Sequence, residues 1–298
     1  MNAREVGFLL LTSRLGNPDR KVLTTAQLRT LGERMVNMPE PAEDRDLEIG
    51  DLVALGYGYD MAARILALLE ENELLAHYLR RAEKLDCTPI SRVSGQYPHI
   101  LKDRLGQTAP GCLWAKGDLS ILDSPMIALV GSRDLHPVNA EFAAEVGRQA
   151  AMQGFTLVSG NARGADRTAQ KACLKAGGTV VSVVADSLAQ KTLHQRILYI
   201  SEDDFDEEFS AQRALSRNRL IHALGEKTFV AQSTFQMGGT WDGTVKNLRF
   251  RWSPVFVFAD GSSAADALCQ MGGNPINRDE LADLSGLQEA EMNFLTAD

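Results

Sequence analysis

The chain has 298 residues, 44% of them apolar and 23% charged, and carries a formal net charge of −8. That composition is globular, with room for one large domain and a smaller one. The negative balance argues against a protein that coats nucleic acid nonspecifically, but it leaves room for a local basic groove. The first apolar run, "VGFLLL", is too short for a signal segment or a membrane span, and no later run approaches one. Cys87, Cys112, Cys173 and Cys269 lie far apart without a CxxC pair, as expected of reduced thiols in a cytoplasm. The five histidines show no zinc-ligand spacing, so no metal site is expected.

The first ~85 residues read as helical. "TTAQLRTLGERMVNM" opens on a threonine cap and repeats its apolar residues every three to four positions. "GYDMAARILALLEENELLAHYLRRAEKL" is a long amphipathic pattern, one helix or two. Between them, "PEPAEDRDLEIGD" is acidic and proline-bearing, as a surface loop is. The expected division is a helical N-terminal domain over 1–86 and a second domain over 87–298. With 11 basic and 15 acidic residues in Met1–Thr88, the first is a poor DNA surface and is assigned a partner or packing role.

From about Pro89 the rhythm changes. Apolar segments "MIALVGSR", "FTLVSG", "TVVSVVAD", "KTFVAQS" and "SPVFVFAD" read as strands. They are separated by the helical patterns "NAEFAAEVGRQAAMQG", "ADRTAQKACLKAGG", "NRLIHALG" and "GTVKNLRFR". Continuous apolar strands alternating with amphipathic helices predict an α/β fold with a mainly parallel sheet covered on both faces. Right-handed crossovers gather the strand C-termini on one edge, where ligands of such sheets bind.

Three loops follow strands on that edge. In the first, Gly131 permits a close turn, Ser132 offers a hydroxyl and a backbone N–H, and Arg133 offers a fork for phosphate. In the second, Gly160 and Gly164 bracket a turn after Ser159, with Arg163 inside it and a helix beginning at Ala165 or Asp166. A helix N-terminus there would favour an anion, although Asp166 reads equally well as a capping residue and Arg163 as a surface arginine. The spacing is not the dinucleotide-binding fingerprint. In the third, Arg217 and Arg219 flank Asn218 at a helix start, and Gly238, Gly239, Thr240, Gly243 and Thr244 form a small-residue loop before a helix. The window Ala211–Arg251 holds seven basic and two acidic residues, just after the acidic "SEDDFDEEF". Charge is therefore segregated along the chain, either as two solvated faces or as a groove and its flank.

Over most of Ile90–Leu284 the chain resembles the DprA/Smf family of DNA-processing proteins. The resemblance rests on "RVSGQYPHILKDRLGQTAPGCLWAKGDLSIL", "ALVGSR", "LVSGNARGADRTAQKACLKAGGTVVSVV" and "SRNRLIHALGEKTFVAQSTFQMGGT", in that order. It implies an extended Rossmann-like core behind a helical N-terminal domain, and a cytoplasmic homodimer. It also implies a protein without catalysis or cofactor that binds and protects single-stranded DNA and loads a RecA-type recombinase during natural transformation. By motif, phosphate contacts fall to Gly131, Ser132, Arg133, Ser159, Gly160, Gly164, Arg217 and Arg219. Arg163, Asp166, Asn218, Gly239 and Thr240 join them as candidate site residues from the loops themselves. Gln170 stands where the family usually has histidine, and Ala214 where an aromatic usually precedes the arginine pair. A different reading is a Rossmann-like nucleotide sensor or a phosphoribohydrolase-like protein, because "GGTWDGT" is similar to the signature of those hydrolases. Lys246 and Asn247 stand where their glutamate would be. A third reading is an interaction scaffold built on a vestigial core.

Overall fold

The computed structural model describes residues 1–36, 38 and 46–289. Five helices come first: α1 (Ala3–Thr12), α2 (Thr25–Met35), α3 (Ile49–Ala54), α4 (Tyr59–Leu69) and α5 (Asn72–Glu83). "VGFLLL" lies inside α1, where Leu9, Leu10 and Leu11 are buried. The threonine cap of α2 forms: the Thr24 side chain accepts from the Gln27 N–H while the Gln27 side chain accepts from the Thr24 N–H. The long amphipathic pattern is two helices, α4 and α5. Of the acidic loop expected over 39–51, residues 39–45 lie outside the described residues. Ile49–Asp51 is the first turn of α3, a correction to the loop assignment. Asp51 accepts from the Glu48 N–H there, so local capping outweighs the charge that reads as loop.

The remaining strands and helices are β1 (Thr88–Ser91), α6 (His99–Leu105), β2 (Cys112–Lys116), β3 (Met126–Val130), α7 (Pro137–Met152), β4 (Thr156–Ser159), α8 (Ala165–Lys175), β5 (Val180–Val183), β6 (Ile197–Ser201), α9 (Ala211–Ser216), α10 (Asn218–Leu224), β7 (Lys227–Val230), α11 (Gly238–Phe250), β8 (Val255–Phe258), α12 (Ser263–Gln270) and β9 (Asn274–Ile276). They build one sheet in the order β1-β2-β6-β5-β4-β3-β7-β8-β9. From β6 to β9 every neighbour is parallel, and β1 and β2 are antiparallel additions at one edge. The fold is the expected Rossmann-like α/β arrangement.

Strand alternation explains the double burial. Ala128 and Val130 of β3 join Val158, Val181 and Leu198 in one core cluster, while Ile127 and Leu129 join Leu157, Val180 and Phe229 in another. The N-terminal helices have a core of their own around Leu23, Leu31, Leu52 and Ile65. They also share one with the sheet. Tyr78 of α5 lies 5.6 Å edge-on from Trp114 of β2 and 4.6 Å from Phe205, ring centre to ring centre.

Four elements depart from the sequence reading. Helix α11 begins at Gly238, so Gly239, Thr240, Gly243 and Thr244 are helical and the loop proper is 231–237. The glycines lower intrinsic helicity, but burial of Gly243 and Thr244 in contact with α10 overrides propensity. Short α9 and the α12–β9 pair are further elements absent from that reading. No helix among the described residues is long and apolar enough to cross a membrane.

Chain order creates a switch at β3. The chain runs outward through β3, β4, β5 and β6, then returns to place β7 on the other side of β3. The loops after β3, β4 and β7 therefore meet where strand order reverses, the place at which open α/β sheets hold ligands.

Candidate nucleic-acid interface

The three loops are tied into one unit. The Ser132 N–H donates to the Gln232 carbonyl (3.0 Å), and the Ser132 carbonyl accepts from the Ala165 N–H (3.1 Å). The Ser132 hydroxyl accepts from the Asp134 N–H (3.2 Å). The backbone N–H expected to reach a phosphate is thus already used in bracing the site. Gly131 lets α8 approach, since a Cβ there would lie 2.5 Å from that of Ala165. Arg133 is exposed and forms no ion pair or side-chain hydrogen bond with any described residue.

In the second loop Ser159 is fully buried, and its hydroxyl accepts from the Gln170 amide at 2.7 Å. Gln170 also reaches the Ser182 hydroxyl at 3.5 Å, so the residue that departs from the family pattern stitches β4 to β5 under the loop. The Ser159 side chain is therefore a core group, already used in holding β4 to α8. Gly164 caps α8 at φ +81°, and any Cβ there would overlap the carbonyls of Ser132 and Arg133. Asp166 is buried in the first turn of α8 and accepts from the Ala162 N–H at 3.1 Å. Burial raises its pKa, opposed chiefly by the charge of Arg217. Its carboxylate organises the loop that precedes α8 and leaves the helix start without a side-chain cap. Arg163, at the surface, pairs with Asp134 at 2.9 Å.

Arg217 caps α10 and is 8% exposed. Its Nη1 donates to the Val183 carbonyl at the end of β5 (2.6 Å), and its Nε has no partner among the described residues. Burial lowers its pKa, and Asp166 is the strongest charge acting to raise it. Gly160 is the gap that admits both side chains, because a Cβ there would overlap the Arg217 guanidinium and Asp166 Oδ2. Asn218 donates to the Gly239 carbonyl at 3.0 Å and so positions the first turn of α11. That helix N-terminus carries no side-chain cap and no acidic residue in its first turn. Gly239 and Thr240 therefore sit at an open, partially positive end.

Arg219 goes elsewhere. It pairs with Glu202 and donates to the Thr108 carbonyl at 2.5 Å, on the far side of α10. Residues two apart on a helix differ by about 200° in direction, so Arg217 and Arg219 cannot share a face. The structure thus places Arg219 away from the cavity lining that Arg133 and Arg217 share.

What remains is a groove of two joined lobes, of about 400 and 470 Å³. Arg133, Ala162, Ala214 and Arg217 line both lobes. The first lobe adds Asn161, Arg163, Arg167 and Phe209; the second adds Gly131, Ser233, Gly239 and Thr240. Arg167, Phe209 and Ser233 were not among the sequence candidates. Arg167 has a signal in the sequence, since it falls in the first turn of the helix that follows the second loop. Phe209, 56% exposed at the end of the acidic run, carries no motif. The groove is thus walled by guanidinium groups, an open helix end and an exposed aromatic ring, a set suited to a phosphodiester backbone with its bases.

Comparison with known proteins places these residues in a family. Residues 88–247, more than half the chain, match the model of DNA recombination-mediator protein A. DNA processing protein DprA of Streptococcus pneumoniae is 32% identical over 205 residues, covering 65% of this chain and 70% of that protein. Protein Smf of Escherichia coli is 30% identical over 140 residues, 43% of this chain. DprA of Bacillus subtilis is 29% identical over 177 residues, 55% of this chain. The match spans 37% of the E. coli protein and 57% of the B. subtilis one. In three dimensions, S. pneumoniae DprA superposes with a TM-score of 0.73 at 23% identity, over 97% of this chain and 99% of that one. Helicobacter pylori DprA, solved to describe its single-stranded DNA binding mode, gives 0.55 at 23% identity over 66% of this chain and 94% of its own. The chain belongs to the DNA recombination-mediator protein A (DprA/Smf) family.

Proposed function

We propose that this protein binds single-stranded DNA along the two-lobed groove, without strong sequence preference and without catalysis. In this reading it protects incoming DNA and passes it to a RecA-type recombinase during transformation, acting as a cytoplasmic homodimer. The observation that carries the reading is Arg133, an unpaired exposed guanidinium where the two lobes join, beside Arg217 and the open N-terminus of α11. Family membership supports it, as does the DNA-binding mode described for the H. pylori relative. A strand backbone is a row of phosphates, and a groove with cations along two lobes matches a row better than a single anion.

The hydrolase-like alternative loses support at its own signature. Asn247, one of the two residues where a glutamate would be sought, is fully buried, with its amide against His222 Nδ1 (3.1 Å) and the Ser253 hydroxyl (3.1 Å). Lys246 pairs with Asp242 at 2.8 Å.

The test is fluorescence anisotropy with labelled oligo-dT between 50 and 200 mM salt. About three phosphate contacts give a log–log slope near −2, hence roughly 15- to 20-fold weaker binding across that range. Absence of binding at 50 mM salt, or binding indifferent to salt, overturns the reading.

A further inference from the structure

Phosphate binding leaves one side of the first lobe unused. Helices α9 and α10 form one wall of the groove, and Phe209 lines the first lobe just before that wall begins. Both flanks of Phe209 are pinned. Arg213 donates to the carbonyls of Glu207 (2.8 Å) and Glu208, and the Ser210 hydroxyl caps α9 by accepting from the Arg213 N–H (3.1 Å). The ring itself is more than half exposed and makes no ring contact with a described residue. Val184, Ala185 and Ala214 give the same lobe an apolar side. An exposed ring on a fixed backbone, beside small apolar groups and among guanidinium groups, can stack on a flat π-system with little loss of freedom.

Asp186 adds a polar edge to that lobe. Its Oδ2 accepts from Lys191 Nζ at 2.5 Å, which fixes the carboxylate. Its Oδ1 makes no hydrogen bond with a described residue, and the side chain is 46% exposed. The turn that carries Asp186 is tied to the segment that carries Phe209: the Ala189 N–H and the Ser187 hydroxyl both donate to the Phe205 carbonyl, at 2.9 and 3.4 Å. A carboxylate only accepts, so among flat ligands it selects one whose edge donates. Asn161 lines the lobe from the second loop, and its amide is unengaged among the described residues.

We propose that the first lobe holds one nucleobase of the bound strand, stacked on Phe209, and favours guanine. Guanine presents an N1–H and an N2 amino group side by side, two donors for the Asp186 carboxylate, and its O6 accepts from the Asn161 amide. Adenine offers one amino group beside an acceptor nitrogen. Thymine offers one N–H between two carbonyl oxygens, which the carboxylate repels. In a single strand that edge is unpaired and available. The inference rests on the DNA-binding reading, with the neighbouring phosphates on Arg133, Arg163 and Arg167. The preference is confined to one position of an otherwise sequence-tolerant groove, where it sets the register of the strand.

The test is fluorescence anisotropy of the full chain with labelled oligo-dT and with the same oligomer carrying a single central dG or a single central dA. The dG oligomer should bind about fivefold tighter than oligo-dT and about threefold tighter than the dA oligomer. Asp186→Asn brings the three within about twofold of one another. Phe209→Ala weakens all three about five- to tenfold without changing the salt slope, because a stacked base is lost and no phosphate contact is. Phe209→Trp restores the affinity. Both side chains lie at the surface, so melting temperatures should stay close to wild type. Equal affinity for the dG and dA oligomers, a preference that survives Asp186→Asn, or unchanged affinity in Phe209→Ala overturns the inference while salt-dependent oligo-dT binding stands. Loss of oligo-dT binding at low salt removes the groove reading itself, and this inference with it.

Discussion

The two sides of the α9–α10 wall share a stretch of eleven residues, 211–221, and have opposite electrostatics. Toward the groove, Arg217 and Arg133 face few carboxylates; toward the N-terminal helices, Arg213 and Arg219 are held by the acidic segment that precedes them. The excess positive charge of Ala211–Arg251 therefore does not belong to the groove as a whole. Helical phase, not the charge of the window, decides which arginines remain available. Proximity in sequence to "SEDDFDEEF" decides which ones are neutralised.

A third face of the wall points into the protein, and it is where the largest response is expected. His222 is fully buried, its Nε2 has no partner among the described residues, and burial lowers its pKa from 6.5 to about 3. Above pH 6.5 the ring is neutral both folded and unfolded, so its contribution is constant. As pH falls below 6.5 the unfolded chain takes up a proton that the folded chain refuses, and stability declines until about pH 3. The loss attributable to this ring is on the order of 4 kcal/mol. Urea midpoints measured across that range should fall less steeply in His222→Gln than in wild type. Asp166, Glu202 and Asp204, whose pKa values are raised by burial, act in the opposite sense and are common to both proteins, so the difference curve isolates the histidine. Parallel curves would show that the ring titrates normally.

Next in size is the contrast between the two arginines. Arg217→Ala leaves Asp166 buried without its strongest counter-charge and should cost about 3 kcal/mol, along with most of the DNA affinity. Arg219→Ala strands Glu202 by the same logic and should cost a similar amount. At a temperature where both variants are folded, however, Arg219→Ala should keep the wild-type salt slope. A reduced slope in both would erase the distinction between the two faces.

Sequence reasoning reached the fold because its signals are cooperative and local. Five apolar strands with helical spacers leave few arrangements, and "SGNARGAD" announces a strand, a turn and a helix. At the site that reasoning reads residue types but not their bonds. Ser132 and Ser159 look like polar residues offered to a ligand, yet the N–H of one and the hydroxyl of the other hold loops and strands together. A motif records which residues sit near the ligand, not which atoms are already bonded. Arg219 is a different case, since a helix start at 217–219 already implies that the two arginines diverge. The partnering of Asp204 with Ser13, 191 positions away, has no local signal at all.

Gly160→Ala tests whether the second loop is an anion nest or a support. A methyl group there collides with both Arg217 and Asp166, and no rotation of the alanine relieves it. The expected cost is about 1–3 kcal/mol from overpacking. DNA affinity should fall with it because Arg217 must move. If the protein loses affinity with no change in melting temperature, the glycine itself contacts the strand and the supporting role is wrong.

The smallest effect on stability belongs to the residue on which the DNA-binding reading depends most. Arg133 is exposed and unpaired, so Arg133→Ala should leave the unfolding free energy within about 0.5 kcal/mol of wild type. The same substitution should weaken oligo-dT binding about tenfold and make the salt slope shallower by about 0.7, the contribution of one phosphate. Arg163 is the control. It lies in the same groove, but with its charge shared with Asp134 across a largely exposed pair. Arg163→Ala should therefore shift the slope less than Arg133→Ala does, and removing Asp134 as well should move it little further. If the two arginines prove equivalent in slope, ion pairing at the rim does not govern which cations meet the strand. The contrast between free and neutralised arginines would then hold only for the buried ones.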